Sequence, residues 1–313
     1  MMRRLLNSDW FGLYVLVFAA MLVISALRPD FHSSFNIFVL LSTIALSTLI
    51  ALAQMVIIAL GQMNLSVGSI GGLVAIAFAG SMQIWGLPAA AAVIGGVALG
   101  AACGAANGVL IARVGLSGFI VTLATMAAYK GVNLGITQAQ PFYGVPTSVK
   151  EMGYAAIGPL PLLLLPAGLA AVLVAWMLSR LPIGRQILAV GGNLSAAELS
   201  GIPVTRVIIF AHALSGALAA GAGMMAVARL QIGQPTIGDD WLMPSFAAPV
   251  IGGTLLAGGH ASVAGAIGGV ALVALITQAL VLFRVDPYFV QLLLGLVILA
   301  AVALARIRAG KAA

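Results

Sequence analysis

The chain has 313 residues, of which 62% are hydrophobic and only 7% are charged, and its formal net charge is +7. So few charged side chains cannot cover the surface of a soluble globule of this length, which excludes an ordinary water-soluble protein. The basic residues stand singly at the ends of apolar runs and form no cluster, which argues against a nucleic-acid partner. The composition therefore predicts an integral protein of the lipid bilayer.

Apolar runs of about twenty residues, the length that crosses ~30 Å of hydrocarbon, follow one another along the chain. We predict an all-α, polytopic membrane protein with about ten transmembrane helices. The number falls toward eight if the uncharged breaks at 60–65 and 259–261 are bends within the bilayer. The first run is interpreted as a retained signal-anchor helix, because it lacks a small-x-small cleavage site. The predicted spans are 10–27, 37–59, 66–84, 88–112, 116–137, 160–180, 204–229, 244–259, 262–283 and 288–305.

Basic residues are divided unequally between the two sets of loops that these spans define. With both termini in the cytoplasm, the inner loops hold Arg3, Arg4, Arg113, Arg180, Arg185, Arg206, Arg306, Arg308 and Lys311. The outer loops hold only Arg28, Lys150, Arg229 and Arg284. This asymmetry satisfies the positive-inside rule and predicts that the loop 181–205 is cytoplasmic.

A polar segment, GRQILAVGGNLSAAELSGIPVTR at 184–206, interrupts the apolar pattern. Ser195 and Glu198 have the spacing of a capping box, in which each side chain satisfies a backbone N–H at a helix start. Gly201 suits a left-handed helix end, and Pro203 prevents further helix. The pattern predicts a helix of one to two turns, which is marginal alone in water and needs a partner or the rest of the protein. We interpret the loop 181–205 as a docking element within a single transmembrane domain, residues 1–313.

Glycine recurs at every fourth position in the fourth predicted span, at Gly96, Gly100, Gly104 and Gly108. This spacing places four positions without side chains on one helix face, where a neighbouring backbone can approach closely. We therefore expect this helix to lie in the middle of the bundle.

The sequence contains almost nothing that could catalyse a reaction. It has no phosphate loop of the GxxxxGK[ST] type and a single cysteine, Cys103, so the chain itself cannot form an internal disulfide. Its three histidines, His32, His212 and His260, lack metal-ligand spacing. We predict that the chain is not an enzyme and binds no metal. Lys130 is the one charged residue well inside a span.

Uncharged polar side chains within the spans are expected to face the bundle interior, where they bond another helix or line a wet path. A path lined by amides and hydroxyls suits a neutral, hydroxyl-rich solute. The best candidate is the stretch 61–68, GQMNLSVG, where two glycines bracket polar residues at an apparent helix break. The predicted path residues are Gln54, Asn64, Ser66, Asn107, Thr122 and Thr125.

Four blocks in order carry a family resemblance: GQMNLSVGS at 61–69, ANGVLIARVGLSGFIVTLATMAAYKG at 106–131, GRQILAVGGNLSAAELSGI at 184–202 and VIGGTLLAGGHASVAGAIGG at 250–269. Together they resemble the permease subunits of bacterial ribose-type ABC importers, a family shared with branched-chain amino-acid permeases. The resemblance implies the ABC importer permease fold in the bacterial inner membrane. It also implies a second permease subunit, identical or not, a cytoplasmic ATPase and a periplasmic solute-binding protein. The chain would bind no cofactor, and ATP and Mg would be used by the ATPase.

The resemblance assigns a role to the docking element, whose motif GxNxxAAxxSGI would couple the permease to the ATPase. The implied function is import of a monosaccharide or related polyol by alternating access. Asn64 and Pro244 stand where the family usually has acidic residues, and Pro249 replaces an aliphatic residue, which leaves the solute open. The expected coupling residues are Asn193, Ser195, Ala196, Ala197, Glu198, Ser200 and Gly201.

Two alternatives stay open from the sequence. A branched-chain amino-acid or nucleoside permease shares the architecture, although the spans offer no charges for the two ends of a zwitterion. A self-sufficient secondary carrier is disfavoured, because every Asp and Glu maps to a loop or a span end.

Overall fold

The structure, a computed structural model, describes residues 10–286 and, beyond them, residues 289, 292, 295, 296 and 299. The predicted span 288–305 lies outside the described residues apart from those five positions. Within the described part, twelve α-helices account for most of the chain. They are α1 (Phe11–Leu27), α2 (Ser34–Ala59), α3 (Val67–Trp85), α4 (Ala89–Ala112), α5 (Gly118–Thr137), α6 (Thr147–Tyr154), α7 (Leu164–Arg180), α8 (Pro182–Gly192), α9 (Leu194–Leu199), α10 (Val204–Leu230), α11 (Leu242–Ile251) and α12 (Val263–Leu282).

The remaining regular structure is small. A 3₁₀ turn, Pro29–His32, joins α1 to α2. Two short strands, β1 (Ala156–Ile157) and β2 (Leu160–Pro161), pair antiparallel between α6 and α7. The prediction of an all-α, polytopic membrane protein is therefore confirmed in its broad form.

Among the described residues, six helices are long and apolar enough to cross a bilayer: α2, α3, α4, α5, α10 and α12. The pair α7 and α8 makes a seventh, bent by 73°. Helix α1 has 17 residues and α11 only 10. The predicted total of about ten spans is thus not confirmed.

The predicted span 244–259 is the clearest correction. Helix α11 ends at Ile251, and the chain then turns through Gly253, Gly258 and Gly259, all with positive φ. Residues at positive φ cannot continue a right-handed helix, and glycine adopts this conformation without steric cost. Mean hydropathy alone predicts a transmembrane span here, because a glycine-rich apolar turn and an apolar helix have similar mean hydropathy. The break predicted at 60–65 is present, since α2 ends at Ala59 and α3 begins at Val67.

Helix α10 lies at the centre of the bundle, packed against α2, α3 and α4. Its closest neighbour is α4, along the face that carries the four regularly spaced glycines. A Cβ on Gly104 would overlap the His212 carbonyl, and a Cβ on Gly108 would lie 2.7 Å from the Ile209 Cα. At this interface the two helix backbones therefore approach more closely than any side chain would allow.

The connections between the helices gather at two ends of the bundle. We call the end that holds residues 181–203 the docking end, and it also carries the α2–α3 break and the turn 252–262. The opposite end carries α6, the β1–β2 hairpin and the start of the loop 231–241. Large apolar side chains are exposed on the outer faces of α1, α5 and α7, as a lipid-facing surface requires.

Candidate functional site

The predicted docking element, residues 181–205, is called the docking loop below. It begins where α7 bends sharply into α8. Leu181 has an extended backbone conformation, which the following Pro182 favours, and Pro182 occupies the first turn of α8. Helix α8 then buries Gly184, Ile187 and Val190 against the bundle. The sequence segment was predicted to hold one short helix, whereas the structure has two, because the apolar positions of α8 form a buried stripe.

Helix α9 is the predicted short helix, but its cap is different. Asn193 adopts an extended conformation, and its side-chain oxygen accepts a hydrogen bond of 3.0 Å from the Ala196 N–H. The predicted capping box of Ser195 and Glu198 is therefore wrong: Asn193 caps the helix earlier, and asparagine is at least as good a cap as serine. Gly201 has φ +77°, and its N–H bonds the Glu198 carbonyl at 2.9 Å, so the predicted left-handed helix end is confirmed.

The surface of α9 is open, with Ala197 its one buried residue. Leu199 is 91% exposed and Leu194 is 49% exposed. Exposed leucines on a six-residue helix are typical of a surface that a partner covers. Sequence reasoning missed both leucines, although their place at the two ends of the predicted short helix was a usable signal. The predicted coupling residues that lie exposed with them are Asn193, Ser195, Ala196, Glu198, Ser200 and Gly201.

Three segments meet backbone to backbone beside the docking loop, in what we call the glycine junction: Ala59, Gly61, Gly191, Gly258 and Gly259. The Gly259 N–H donates to the Ala59 carbonyl at 2.9 Å. A Cβ on Gly191 would overlap that same carbonyl, and a Cβ on Gly258 would lie 2.5 Å from the Gly191 oxygen and 2.7 Å from the Gly61 Cα. The end of α8 is thereby held against both the α2–α3 break and the turn 252–262.

A buried polar network follows directly after the junction and centres on Asn64. The Asn64 amide donates to the Ser215 hydroxyl at 3.1 Å, and its oxygen accepts from the Ser66 hydroxyl at 2.7 Å. The Asn107 amide donates to the Ser66 hydroxyl at 2.9 Å. The Tyr129 hydroxyl can donate either to the Asn107 side-chain oxygen at 3.2 Å or to a backbone carbonyl on α4. Side chains from α4, α5 and α10 therefore fix the broken segment between α2 and α3.

The other predicted path residues surround this network. Gln54 is fully buried, and its amide pairs with the Asn64 backbone, with 2.9 Å to the carbonyl oxygen and 3.3 Å to the nitrogen. The Thr122 hydroxyl bonds the Gly118 carbonyl of its own helix at 2.8 Å and lies 3.4 Å from the Met63 carbonyl. Thr125 is only partly buried and bonds a carbonyl within α5. These residues are enclosed and paired within the protein, and their contact with a solute stays a prediction.

His212 adds a link between the network and the docking end. Its Nε2 lies 2.9 Å from the Gln62 side-chain oxygen, and its Nδ1 has no hydrogen-bond partner within the described chain. Gln62 belongs to the same broken segment as Asn64 and Ser66 and directly follows Gly61 of the glycine junction. One seven-residue break thus contacts the docking loop at one side and α10 at the other.

Lys130 is paired rather than isolated in its helix. Its Nζ lies 2.6 and 2.7 Å from the two Asp239 carboxylate oxygens and 2.8 Å from the Pro235 carbonyl. The loop 231–241 that supplies these groups runs down along α3, with Ile237 against Gly72 and Gly238 against Gly68. Sequence reasoning assigned this loop to the outer side only because it separates two predicted spans, 204–229 and 244–259. Within the described residues, no group of three or more His, Cys, Asp or Glu side chains could hold a metal ion.

Comparison with known proteins gives matches over most of the chain. The family model described as branched-chain amino acid transport system / permease component matches residues 36–302. The ribose import permease protein RbsC of Bacillus subtilis is 36% identical over 303 residues, which cover 96% of this chain and 92% of that protein. The Escherichia coli K12 RbsC is 34% identical over 90% of this chain and 88% of its own. The D-allose transport system permease protein AlsC of that strain is 31% identical over 96% of this chain and 92% of its own length. No solved structure gives a significant match.

Proposed function

This chain belongs to the family of branched-chain amino acid transport system permease components, and we propose that it is the membrane permease of an ATP-binding-cassette importer for a monosaccharide or related polyol. The relatives that support this solute class are named for import of ribose and transport of D-allose. Both matches extend over more than nine-tenths of each protein, so the likeness covers the whole permease rather than one motif.

The docking loop is the observation that carries this proposal. It presents a short capped helix with an exposed Leu199, and its other end is anchored in the glycine junction. The sequence has no phosphate loop, so the energy must come from a separate ATPase, which would bind ATP and Mg. The loop is the part of the chain best suited to receive that partner.

The geometry suggests how the docking loop acts on the membrane helices. When the ATPase moves α8 and α9, the Gly191 backbone presses on Ala59 and Gly259, with no flexible side chain between them. Closely packed backbone transmits displacement, because interiors compress little and rearrange between discrete packings. The α2–α3 break and its polar network then move with the loop, which opens the permease alternately to the two sides.

The solute class follows from the uncharged network and from the pairing of the intramembrane charge. Within the described helices no carboxylate is buried, and Lys130 is neutralised by Asp239. A zwitterionic amino acid would need a site with charges of both signs, which this network does not provide. The absence of a buried carboxylate in the described spans also disfavours a carrier driven by protons or sodium.

The partners and the orientation complete the proposal. We assign the docking end to the cytoplasm of a bacterial inner membrane, with both termini on that side. A periplasmic solute-binding protein would deliver the solute at the opposite end, and a second permease, identical or not, would complete the pore. Most of the solute affinity would reside in the binding protein.

Co-purification of the tagged chain in mild detergent tests the importer assignment. We expect an ATPase subunit to accompany the wild-type protein and to be lost in Glu198→Arg or Gly201→Pro, because α9 loses its docking surface or its left-handed end. Glu151→Arg, a charge reversal on the exposed face of α6, serves as the control and retains the ATPase. Full ATP-driven uptake in both docking variants, or solute flux without ATP through the purified chain alone, would refute the proposal.

A further inference from the structure

A second polar region lies away from the docking loop, in a cavity of about 290 Å³. Its walls are the last turns of α10, the middle of α2 at Leu46, and residues 234–241 of the loop that runs along α3. Irregular backbone packed this deeply among membrane helices persists where protein or a wet cavity satisfies its polar groups. The volume lies at the small end of the range for ligand sites, which suits a compact solute.

The lining combines opposite charges with neutral hydrogen-bonding groups and one aromatic ring: Arg229, Gln234, Thr236, Asp240 and Trp241. Within the described chain, neither Arg229 nor Asp240 takes part in a salt bridge. The guanidinium can only donate hydrogen bonds and the carboxylate can only accept them. A bound molecule must therefore accept on one side and donate on the other.

A hydroxyl group does both, so a neutral polyhydroxylated solute satisfies the two charges at once. An anion would pair with Arg229 but would be repelled by Asp240, a cation would meet the reverse problem, and a zwitterion fits only if its two charged ends have the spacing of the two side chains. Gln234 and Thr236 add further groups that both donate and accept, and Trp241 adds an apolar wall. The lining thus disfavours a solute with a single charge, and the relatives named for ribose and D-allose favour a sugar over a zwitterion.

The cavity wall is held in place by contacts outside the lining. Asp239, next to Asp240, binds Lys130, and Lys130 also binds the Pro235 carbonyl at 2.8 Å. The Trp241 ring packs on Gly71, where no side chain could fit. Such fixed positions lower the cost of ordering groups around a ligand.

We propose that this cavity is a solute subsite of the permease, which binds a neutral polyhydroxylated molecule through Arg229 and Asp240. The role of this subsite in transport rests on the proposed function. Solute delivered at the end opposite the docking loop would first contact this chain there. The binding chemistry itself is independent of the ATPase.

Fluorescence of Trp241 tests the subsite directly. The chain has four tryptophans, so Trp10→Phe, Trp85→Phe and Trp176→Phe together leave Trp241 as the reporter. The full chain in lipid nanodiscs would be titrated with D-ribose, D-allose, myo-inositol, L-leucine and inorganic phosphate. We expect a saturable change with at least one neutral polyhydroxylated solute and none with L-leucine or phosphate. Arg229→Gln and Asp240→Asn should each weaken binding by about tenfold or more, the usual effect of losing a hydrogen bond to a charged group.

The control is Arg284→Gln, which removes an exposed charge outside the cavity lining and should bind as the wild type does. Thr236→Val changes an exposed lining residue, so the variant is expected to fold normally. It should weaken binding a few-fold. The subsite is wrong if no neutral polyhydroxylated solute saturates, if L-leucine or phosphate does, or if Arg229→Gln and Asp240→Asn bind normally. ATP-driven uptake is scored separately: uptake without cavity binding rejects only the subsite, and cavity binding without ATP-driven uptake rejects only the importer.

Discussion

Asn64 illustrates how a single residue acquires its role in this protein. The residue follows a helix break that the sequence predicts, yet its partners Ser215 and Gln54 lie on other helices. Both side-chain groups of Asn64 are paired, so the asparagine satisfies a break that would otherwise expose polar backbone within the bundle. Where the family usually has an acid, an amide can donate as well as accept, and here it does both.

Replacing Asn64 should therefore cost stability. In Asn64→Ala the Ser215 and Ser66 hydroxyls lose their side-chain partner inside the bundle, with an expected loss of about 2 kcal/mol. The midpoint of thermal unfolding in detergent measures this change. Thr125→Val, which removes one 3.4 Å bond from a half-buried hydroxyl, is the matched control and should unfold close to wild type. Equal midpoints for the two variants would show that the network does not stabilise the break.

At the scale of elements, the contact between α4 and α10 depends on glycine at one helix face. The sequence predicts that face from a spacing of four residues, since 3.6 residues per turn brings such positions into line. It does not identify α10 as the neighbour, because nothing in either helix marks the other as its partner. The packing of two backbones is decided only when the whole bundle is assembled.

Gly104→Ala should destabilise the bundle, while Gly95→Ala on the same helix should not. A Cβ at Gly104 would overlap the His212 carbonyl, whereas nothing lies within 4 Å of a Cβ at Gly95. Both substitutions gain the same helix propensity, so the difference isolates packing, with an expected penalty of about 1–3 kcal/mol at Gly104. Thermal unfolding of the two variants side by side checks this. A Gly104→Ala variant as stable as Gly95→Ala would mean that α4 and α10 are less closely packed than described.

At the scale of the whole molecule, the glycine junction joins the docking loop to the interior. Its members come from three regions that are far apart in sequence, around residues 59–61, 191 and 258–259. The family resemblance read from the sequence is confirmed by the comparisons, and it points to the docking loop. It does not reveal which internal segment the loop touches.

Gly191→Ala should reduce ATP-driven uptake at least tenfold while the ATPase still co-purifies. The added methyl would overlap the Ala59 carbonyl and separate α8 from the α2–α3 break, but the exposed surface of α9 would stay intact. Gly192→Ala is the matched control, because a Cβ there would meet only the Gly259 Cα, at 3.8 Å. Uptake and co-purification from the same membranes provide both readouts. Normal uptake in Gly191→Ala would mean that motion does not pass through the junction.

Properties that depend on neighbouring residues could be predicted from the amino-acid sequence: membrane insertion, most helix positions, the short helix near Gly201 and the polar break around Asn64. These follow from composition, periodicity and turn residues, all of which act within a few positions of one another. The folded structure was needed to establish that Asn193 caps α9, that residues 252–262 form a turn and not part of a transmembrane helix, and that Arg229 and Asp240 line one cavity. Those outcomes depend on contacts between distant segments, whose geometry is set by the packing of the whole bundle and leaves no local pattern in the chain.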